Sequence, residues 1–329
     1  MTDTLIISQQ QVACYLGIKE CMAAVEGVFK LHGKKEALPP GILGMHTTNG
    51  GFHIKAGMLN LGNSYFVAKT NANFPNNSKR FSLPTIQGVV AVFDGENGCL
   101  LALMDSIEIT ILRTGAATAV AAKFLARPDA RTVTICGCGN QGRVSVRALS
   151  TLFPLEKIYA FDIDKSVANS FAKEMADELS ISVAATSDLS KAVRKSDICV
   201  TCTTSKQPFL KAKDIAPGTF IAAVGADSED KQELESELLT SGKLVVDIKE
   251  QCAMIGELHH ALNKKLLTRE DVHAELGEVI AGKAAGRETN DEIIIFDSTG
   301  MALQDVATAA IVYEKAILKG NGLKFNFRN

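Results

Sequence analysis

In the stretch TICGCGNQGR, glycines fall at Gly137, Gly139 and Gly142, the pattern G-x-G-x-x-G. Between a strand and a helix, such a turn cradles a pyrophosphate. The first glycine permits the tight turn, the second lets backbone approach the ligand, and the third brings the helix onto the strand. The flanks agree: RTVTICG reads as a buried strand and GNQGRVSVRALSTL as a helix with apolar spacing. That helix would offer free N–H groups and a partial positive charge to phosphates. Twenty residues after Gly142 the next strand-like run, KIYAFD, ends in Asp162, where a carboxylate accepts hydrogen bonds from ribose hydroxyls. A carboxylate there repels a 2′-phosphate, so NAD(H) is preferred. Lys165 follows closely and leaves NADP(H) open.

A nicotinamide needs a substrate held against it and a group that moves protons. Four stretches carry suitable residues: Lys69 in VAKTNANFP, Arg113 in LRTGAAT, Asp227 and Lys231 in VGADSEDKQEL, and His53 and Lys55 in FHIKAG. Lys69 lies in an apolar strand and Arg113 follows ITIL in an apolar helix. Buried charges need partners, and the carboxylate of a ligand would satisfy both cations, Arg113 bidentately. Asp227 follows the strand-like TFIAAVG, and in an open parallel sheet ligands bind beyond the strand C-termini.

The elements that position these residues change character near residue 125. Before it come an amphipathic helix over about 10–31 and the strand-like runs GGFHIKAGML, NSYFVAKTNA, TIQGVVAVFD and GCLLALMD. DGENG at 94–98 joins the last two as a hairpin. These runs alternate too often for parallel crossovers, so a mixed or antiparallel sheet is expected. A helix over 107–126 follows, ended by Pro128. From Arg131 strands and helices alternate, as in βαβ units. The fold class is therefore α/β: a Rossmann-type doubly wound parallel sheet over 121–304, with an α+β substrate and dimerisation domain from 1–120 and 305–329. The last helix, about 301–318, is expected to return to the first domain.

Composition narrows the function. The chain has 329 residues, 46% hydrophobic and 22% charged, with 35 basic and 37 acidic side chains. No basic excess points to nucleic acid or an anionic membrane. MTDTLIISQQ has no basic segment followed by an apolar run, and no run reaches the roughly 20 apolar residues of a spanning helix. A cytoplasmic location is expected. Of eight cysteines, Cys199 and Cys202 form C-x-x-C. No second such pair and no histidine pair of matching zinc-site spacing follows, so they read as small strand residues rather than a redox pair or half a zinc site. His259-His260 read as the end of a surface helix, and KFNFRN as a tail that packs or frays. No metal is expected.

AKTNANFP, LRTGAATAVAA, ICGCGNQGR, VGADSEDKQEL and IFDSTGMALQD together resemble the ornithine cyclodeaminase/mu-crystallin family over nearly the whole chain. The resemblance implies a dimer built on the N-terminal domain, a bound nicotinamide cofactor, and chemistry at the Cα–N bond of an amino or imino acid. It implies that Lys69 and Arg113 grip the substrate carboxylate. Asp227 is then the acid/base, with Lys69 assisting by its charge. The cofactor set is Gly137, Gly139, Asn140, Gln141, Gly142, Asp162 and Thr114. One departure stands out: the Pro-Pro pair is followed by Gly41 where many members carry a further carboxylate-gripping arginine. Lys55 is the candidate to compensate, a cation suited to a second carboxylate. The reaction class implied is an imine/amine oxidoreductase of the alanine dehydrogenase, ketimine reductase or iminosuccinate reductase kind. The alternatives are a cyclodeaminase-type ammonia lyase, a ligand-binding mu-crystallin-like protein, and a noncatalytic NAD sensor.

Overall fold

The computed structural model describes residues 3–327. Contacts divide the chain into two compact units: 1–28, 35–113 and 301–329 form unit 1, and 29–34 with 114–300 form unit 2. Strands are numbered in chain order. Unit 1 holds β1 (Thr4–Ile7), β2 (Gly41–Thr47), β3 (Gly50–Asn60), β4 (Ser64–Asn73), β5 (Ile86–Asp94) and β6 (Leu100–Asp105). Unit 2 holds β7 (Thr132–Cys136), β8 (Lys157–Phe161), β9 (Ser182–Ala185), β10 (Ile198–Thr201), β11 (Phe220–Ala223), β12 (Lys243–Val246), β13 (Ala274–Glu275) and β14 (Ile294–Asp297). The chain then returns to unit 1 as a helix, Ala302–Lys319, and β15 (Leu323–Phe325).

Unit 1 is built on a mixed sheet of order β15-β1-β6-β5-β4-β3-β2. Its meander β2 to β6 is antiparallel, while β1 runs parallel to β6. Side chains alternate across a strand, and here the alternation sets two lysines on the buried face. Lys55, Gly57 and Leu59 of β3, and Tyr65, Val67 and Lys69 of β4, are buried on one face. The C-terminal helix packs on that face, and Gly57 lets it approach: a Cβ there would lie 2.8 Å from Leu303 Cδ2. The hairpin at 94–98 forms as expected. Asp94 accepts the Glu96 and Asn97 N–H groups, and Gly98 adopts φ +73°.

Some local expectations need correction. The helix over 10–31 is two helices, Gln9–Tyr15 and Ile18–Lys34. Ser8 caps the first in a capping box with Gln11, and Leu16 is extended at the break; Gly17 beside it contributes no helix propensity. β1 and β2 have no counterpart in the expected runs. The tail KFNFRN, expected to pack or fray, packs at its start: Leu323–Phe325 pair antiparallel with β1, and Arg328 and Asn329 lie outside the described residues.

Unit 2 is an eight-stranded parallel sheet of order β13-β12-β14-β11-β10-β7-β8-β9. From β9 to β14 this is the doubly wound order, whose direction of winding switches between β7 and β10. The strands are apolar on both sides, as a sheet covered on both faces requires: β10, β11 and β14 are buried throughout. Cys199 lies inside β10 and Cys202 just beyond it, both as free thiols. Among the described residues no helix is long and apolar enough to cross a membrane, and no group of metal-binding side chains gathers.

Candidate active site

The glycine turn closes as its spacing requires. Gly137 has φ +101°, and a Cβ there would sit 2.8 Å from Cys202 O. At Gly142 a Cβ would sit 2.3 Å from Gly137 O and 2.9 Å from Ile135 Cγ2. Both glycines are thus fixed by the protein's own packing. Gly139 is not: the space where its Cβ would stand is empty to 4 Å. Gly139 is also the N-cap of helix Asn140–Ser150 and supplies no side-chain cap. The helix therefore opens with uncapped N–H groups beside vacant space, the arrangement an anionic phosphate fills. Asn140 and Gln141 form its first turn, and Gln141 Oε1 is buried without a hydrogen-bond partner.

Asp162, at the end of β8, accepts Cys138 N–H at 2.9 Å on Oδ2 and Asp164 N–H at 3.0 Å on Oδ1. Each oxygen keeps a lone pair for a hydroxyl. The carboxylate is tied to the glycine turn itself, so turn and carboxylate form one rigid piece. Thr114 is buried in helix Ile107–Leu125, where Gly115 packs on Val144 of the glycine-turn helix. These residues fit a dinucleotide.

Asp227 lies in the loop after β11. Its Oδ1 is 2.5 Å from Lys231 Nζ. Burial works against the Lys231 charge, but the Asp227 carboxylate outweighs it and raises the lysine above its usual range. The loop is anchored by buried acids outside the expected site. Glu233 accepts Thr201 Oγ1–H (2.7 Å), Thr203 N–H (2.6 Å) and Gly225 N–H (3.0 Å). Glu257 accepts the Glu233 and Leu234 N–H groups. A Cβ on Gly225 would strike the Glu233 carboxyl at 2.5 Å. His260 belongs to helix Glu257–Asn263 and pairs through Nε2 with Lys231 O at 2.8 Å. Its pKa is lowered, chiefly by burial, so the ring donates as a neutral imidazole. His260 thus holds the Asp227 loop, while His259 pairs with Ala253 O and Asn263 Nδ2.

In unit 1 the structure brings Lys69, Arg113 and Lys55 together. They are 2%, 8% and 7% exposed, and Lys55 stands opposite Lys69 in the β3–β4 register. Lys55 therefore does not face solvent. Lys69 and Arg113, for which a ligand's carboxylate was the expected partner, also have an internal one. Asp305 of the C-terminal helix, 1% exposed, lies 2.7 Å from Lys69 Nζ and 3.4 Å from Arg113 Nε. Gln304 Oε1 accepts from Arg113 Nη1 at 3.4 Å, and Thr110 Oγ1 lies 3.3 Å from Lys69 Nζ. Gln304 and Asp305, adjacent polar residues in the buried stretch ALQDVATAA, were the signal for this missed pair. Burial, opposed by Asp305 and reinforced by Arg113 and Lys55, brings the Lys69 amine down to about 7.

The geometry thus holds a dinucleotide cradle in one unit and a buried cationic cluster in the other. A model of the ornithine cyclodeaminase/mu-crystallin family matches residues 2–320. Alanine dehydrogenase of Archaeoglobus fulgidus is 38% identical over 326 residues, covering 99% of each chain. Iminosuccinate reductase of Paracoccus denitrificans is 32% identical over 96% of this chain and 98% of its own. Among solved structures, an archaeal alanine dehydrogenase dimer with bound NAD superposes with a TM-score of 0.95 at 38% identity, covering 99% of this chain and all of that one. The Thermococcus litoralis Δ1-pyrroline-2-carboxylate reductase in complex with NADH and L-proline gives 0.90 at 33% identity, covering 97% and 99%. With the family model spanning nearly every residue and relatives matched end to end, this chain belongs to the ornithine cyclodeaminase/mu-crystallin family.

Proposed function

We propose that the chain interconverts an α-imino acid, or an α-keto acid plus ammonia, with an L-amino acid. The chain is an NAD-dependent oxidoreductase, as its dehydrogenase and reductase relatives are named. The observation that carries the finer reading is the buried Lys69–Arg113 pair: two fixed cations side by side suit an α-carboxylate, and holding it fixes Cα for reaction. The nicotinamide, when bound, supplies or accepts the hydride. Lys69 and Arg113 orient the substrate through its carboxylate, and the Asp227 carboxylate, as the nearby anion, favours the protonated, electrophilic imine. Asp227 exchanges a proton with the substrate nitrogen, held in place by Lys231 and by the loop that Glu233 and Glu257 tether. Asp162 selects NAD(H) by accepting from the ribose hydroxyls and repelling a 2′-phosphate. Lys55 adds a further cation to the cluster, which suits a substrate with a second carboxylate.

Nicotinamide absorbance tests this directly. With ammonium present, NADH should be consumed with one of pyruvate, oxaloacetate or a cyclic ketimine, and NADPH more slowly. Release of ammonia and proline from ornithine, with no net change in NAD, would instead make the chain a cyclodeaminase.

The working form is a homodimer through unit 1. Helices cover one face of its sheet; among the described residues the other is apolar and uncovered. Met58, Phe66 and Phe93 stand in one cross-strand row and Ala56, Ala68 and Ala91 in the next, with Phe66 37% exposed. An uncovered apolar sheet face marks an association surface, and a second copy presents the same face to it about a twofold axis. Light scattering should give about twice the 35.1 kDa chain mass, and Phe66→Lys should give the monomer. A Phe66→Lys protein that stays dimeric would place the interface elsewhere.

A further inference from the structure

We infer that Asp305 is a positioning residue of the carboxylate grip, holding Lys69 and Arg113 side by side and keeping Lys69 cationic. The inference rests on the reading that Lys69 binds the substrate carboxylate. Asp305 is 1% exposed, and as an anion it repels a substrate carboxylate rather than binding it. Its Oδ1 takes Lys69 Nζ at 2.7 Å and approaches Arg113 Nε to 3.4 Å, while Oδ2 is buried without a hydrogen-bond partner. One carboxylate oxygen thus serves both cations, which fixes their separation from below and leaves their remaining N–H groups for a ligand. Gln304, the preceding residue, steadies Arg113 through Nη1.

The charges around Lys69 show why an internal anion is needed. β3 presents Lys55, helix Ile107–Leu125 presents Arg113, and the C-terminal helix presents Asp305. Helix Ile18–Lys34 adds the Cys21 thiol near Arg113 and Asp305; burial pushes it up to about 12, so it stays neutral. Three buried cations therefore gather around Asp305. Burial, Arg113 and Lys55 all favour the neutral Lys69 amine, and Asp305 opposes them. Asp305 itself stays ionised: burial disfavours its charge, but Lys69 and Arg113 outweigh that and lower its pKa. Without Asp305, Lys69 would lose its proton well below neutrality and bind a carboxylate only in acid.

The test is NMR of the full-length chain carrying 13Cε/15Nζ-labelled lysine, with the Lys69 signal assigned from Lys69→Arg. The Lys69 midpoint should lie near neutrality in the parent. In Asp305→Asn it should fall by about one pH unit or more. The KM for the oxo or imino acid should then rise roughly tenfold at pH 7.5, with kcat changed far less, and the deficit should shrink toward pH 6. Asp305→Glu should restore much of the loss. If Asp305→Asn does not fold, Lys55→Met gives the opposite arm, raising the Lys69 midpoint by removing a neighbouring cation. A Lys69 midpoint that does not fall in Asp305→Asn, or a KM deficit that is the same at every pH, overturns the inference; where that variant does not fold, a midpoint unmoved in Lys55→Met does so. The NMR arm needs no substrate. A midpoint that moves as expected in a protein that turns over no oxo or imino acid would therefore overturn the functional reading instead.

Discussion

Asp227→Asn is expected to lower kcat about 10²–10⁴-fold, the range that one general acid–base group contributes, while leaving NADH affinity within about twofold. Asparagine keeps the shape and one acceptor oxygen for Lys231 Nζ, so the 2.5 Å contact is weakened rather than replaced by a hole. Asp227 is about half exposed and Lys231 14% exposed on the side chain, and pairs near the surface contribute about 0–1 kcal/mol. The loop itself hangs on Glu233 and Glu257, none of whose bonds involve Asp227. Fold and cradle should survive the substitution, and only the proton-exchanging oxygen is lost. Stopped-flow turnover beside fluorescence titration of NADH separates the two effects. A variant that loses cofactor affinity yet turns over normally at saturating NADH would assign Asp227 to the cradle and leave the proton step to another group.

What could be read beforehand divides by the range of the interaction. The glycine turn was legible because its residues are local: Gly137, Gly139 and Gly142 act within one strand–turn–helix, and Asp162 is one crossover away. The Lys69–Asp305 pair was not, because it joins residues 236 positions apart. An acid in the C-terminal helix has no spacing relation to a strand lysine near the N-terminus. Sequence showed that Lys69 and Arg113 would be buried and would need an anion. Only the return of the chain, placing helix Ala302–Lys319 on β3 and β4, supplies one. Glu233, Glu257 and His260 were invisible for a related reason. Their partners are mostly backbone N–H and C=O groups of the Asp227 loop, and backbone demand carries no residue signature. The split at Leu16 and the strands β1 and β2 were missed because short elements take their stability from neighbours rather than from pattern.

The same tolerance for buried acids sets a pH dependence on the fold, carried by Asp297 at the end of β14. Oδ2 accepts Leu258 N–H at 2.9 Å, but Oδ1 is buried without a hydrogen-bond partner. Burial, with the nearby Asp247 carboxylate adding to it and the Leu258 N–H opposing, pushes Asp297 up to about 7. Asp247 is better placed, accepting from Ser298, Thr299 and the Gly300 and Ile248 N–H groups. In the unfolded chain an aspartate titrates near 3.9. Between about pH 4 and pH 7 the folded state therefore holds the Asp297 proton and the unfolded state does not, so this residue's contribution to stability falls as pH rises. At about 1.4 kcal/mol per unit over roughly three units, the decline approaches 4 kcal/mol. The substitution Asp297→Asn would mimic the protonated acid at every pH and carry no such decline. Urea unfolding of the parent and of Asp297→Asn should thus give similar stabilities near pH 4, with the variant ahead by up to about 4 kcal/mol near pH 7.5. A stability difference that stays constant from pH 4 to pH 7.5 would mean that Asp297 keeps its charge inside the fold, held by bonds the orphan oxygen does not show.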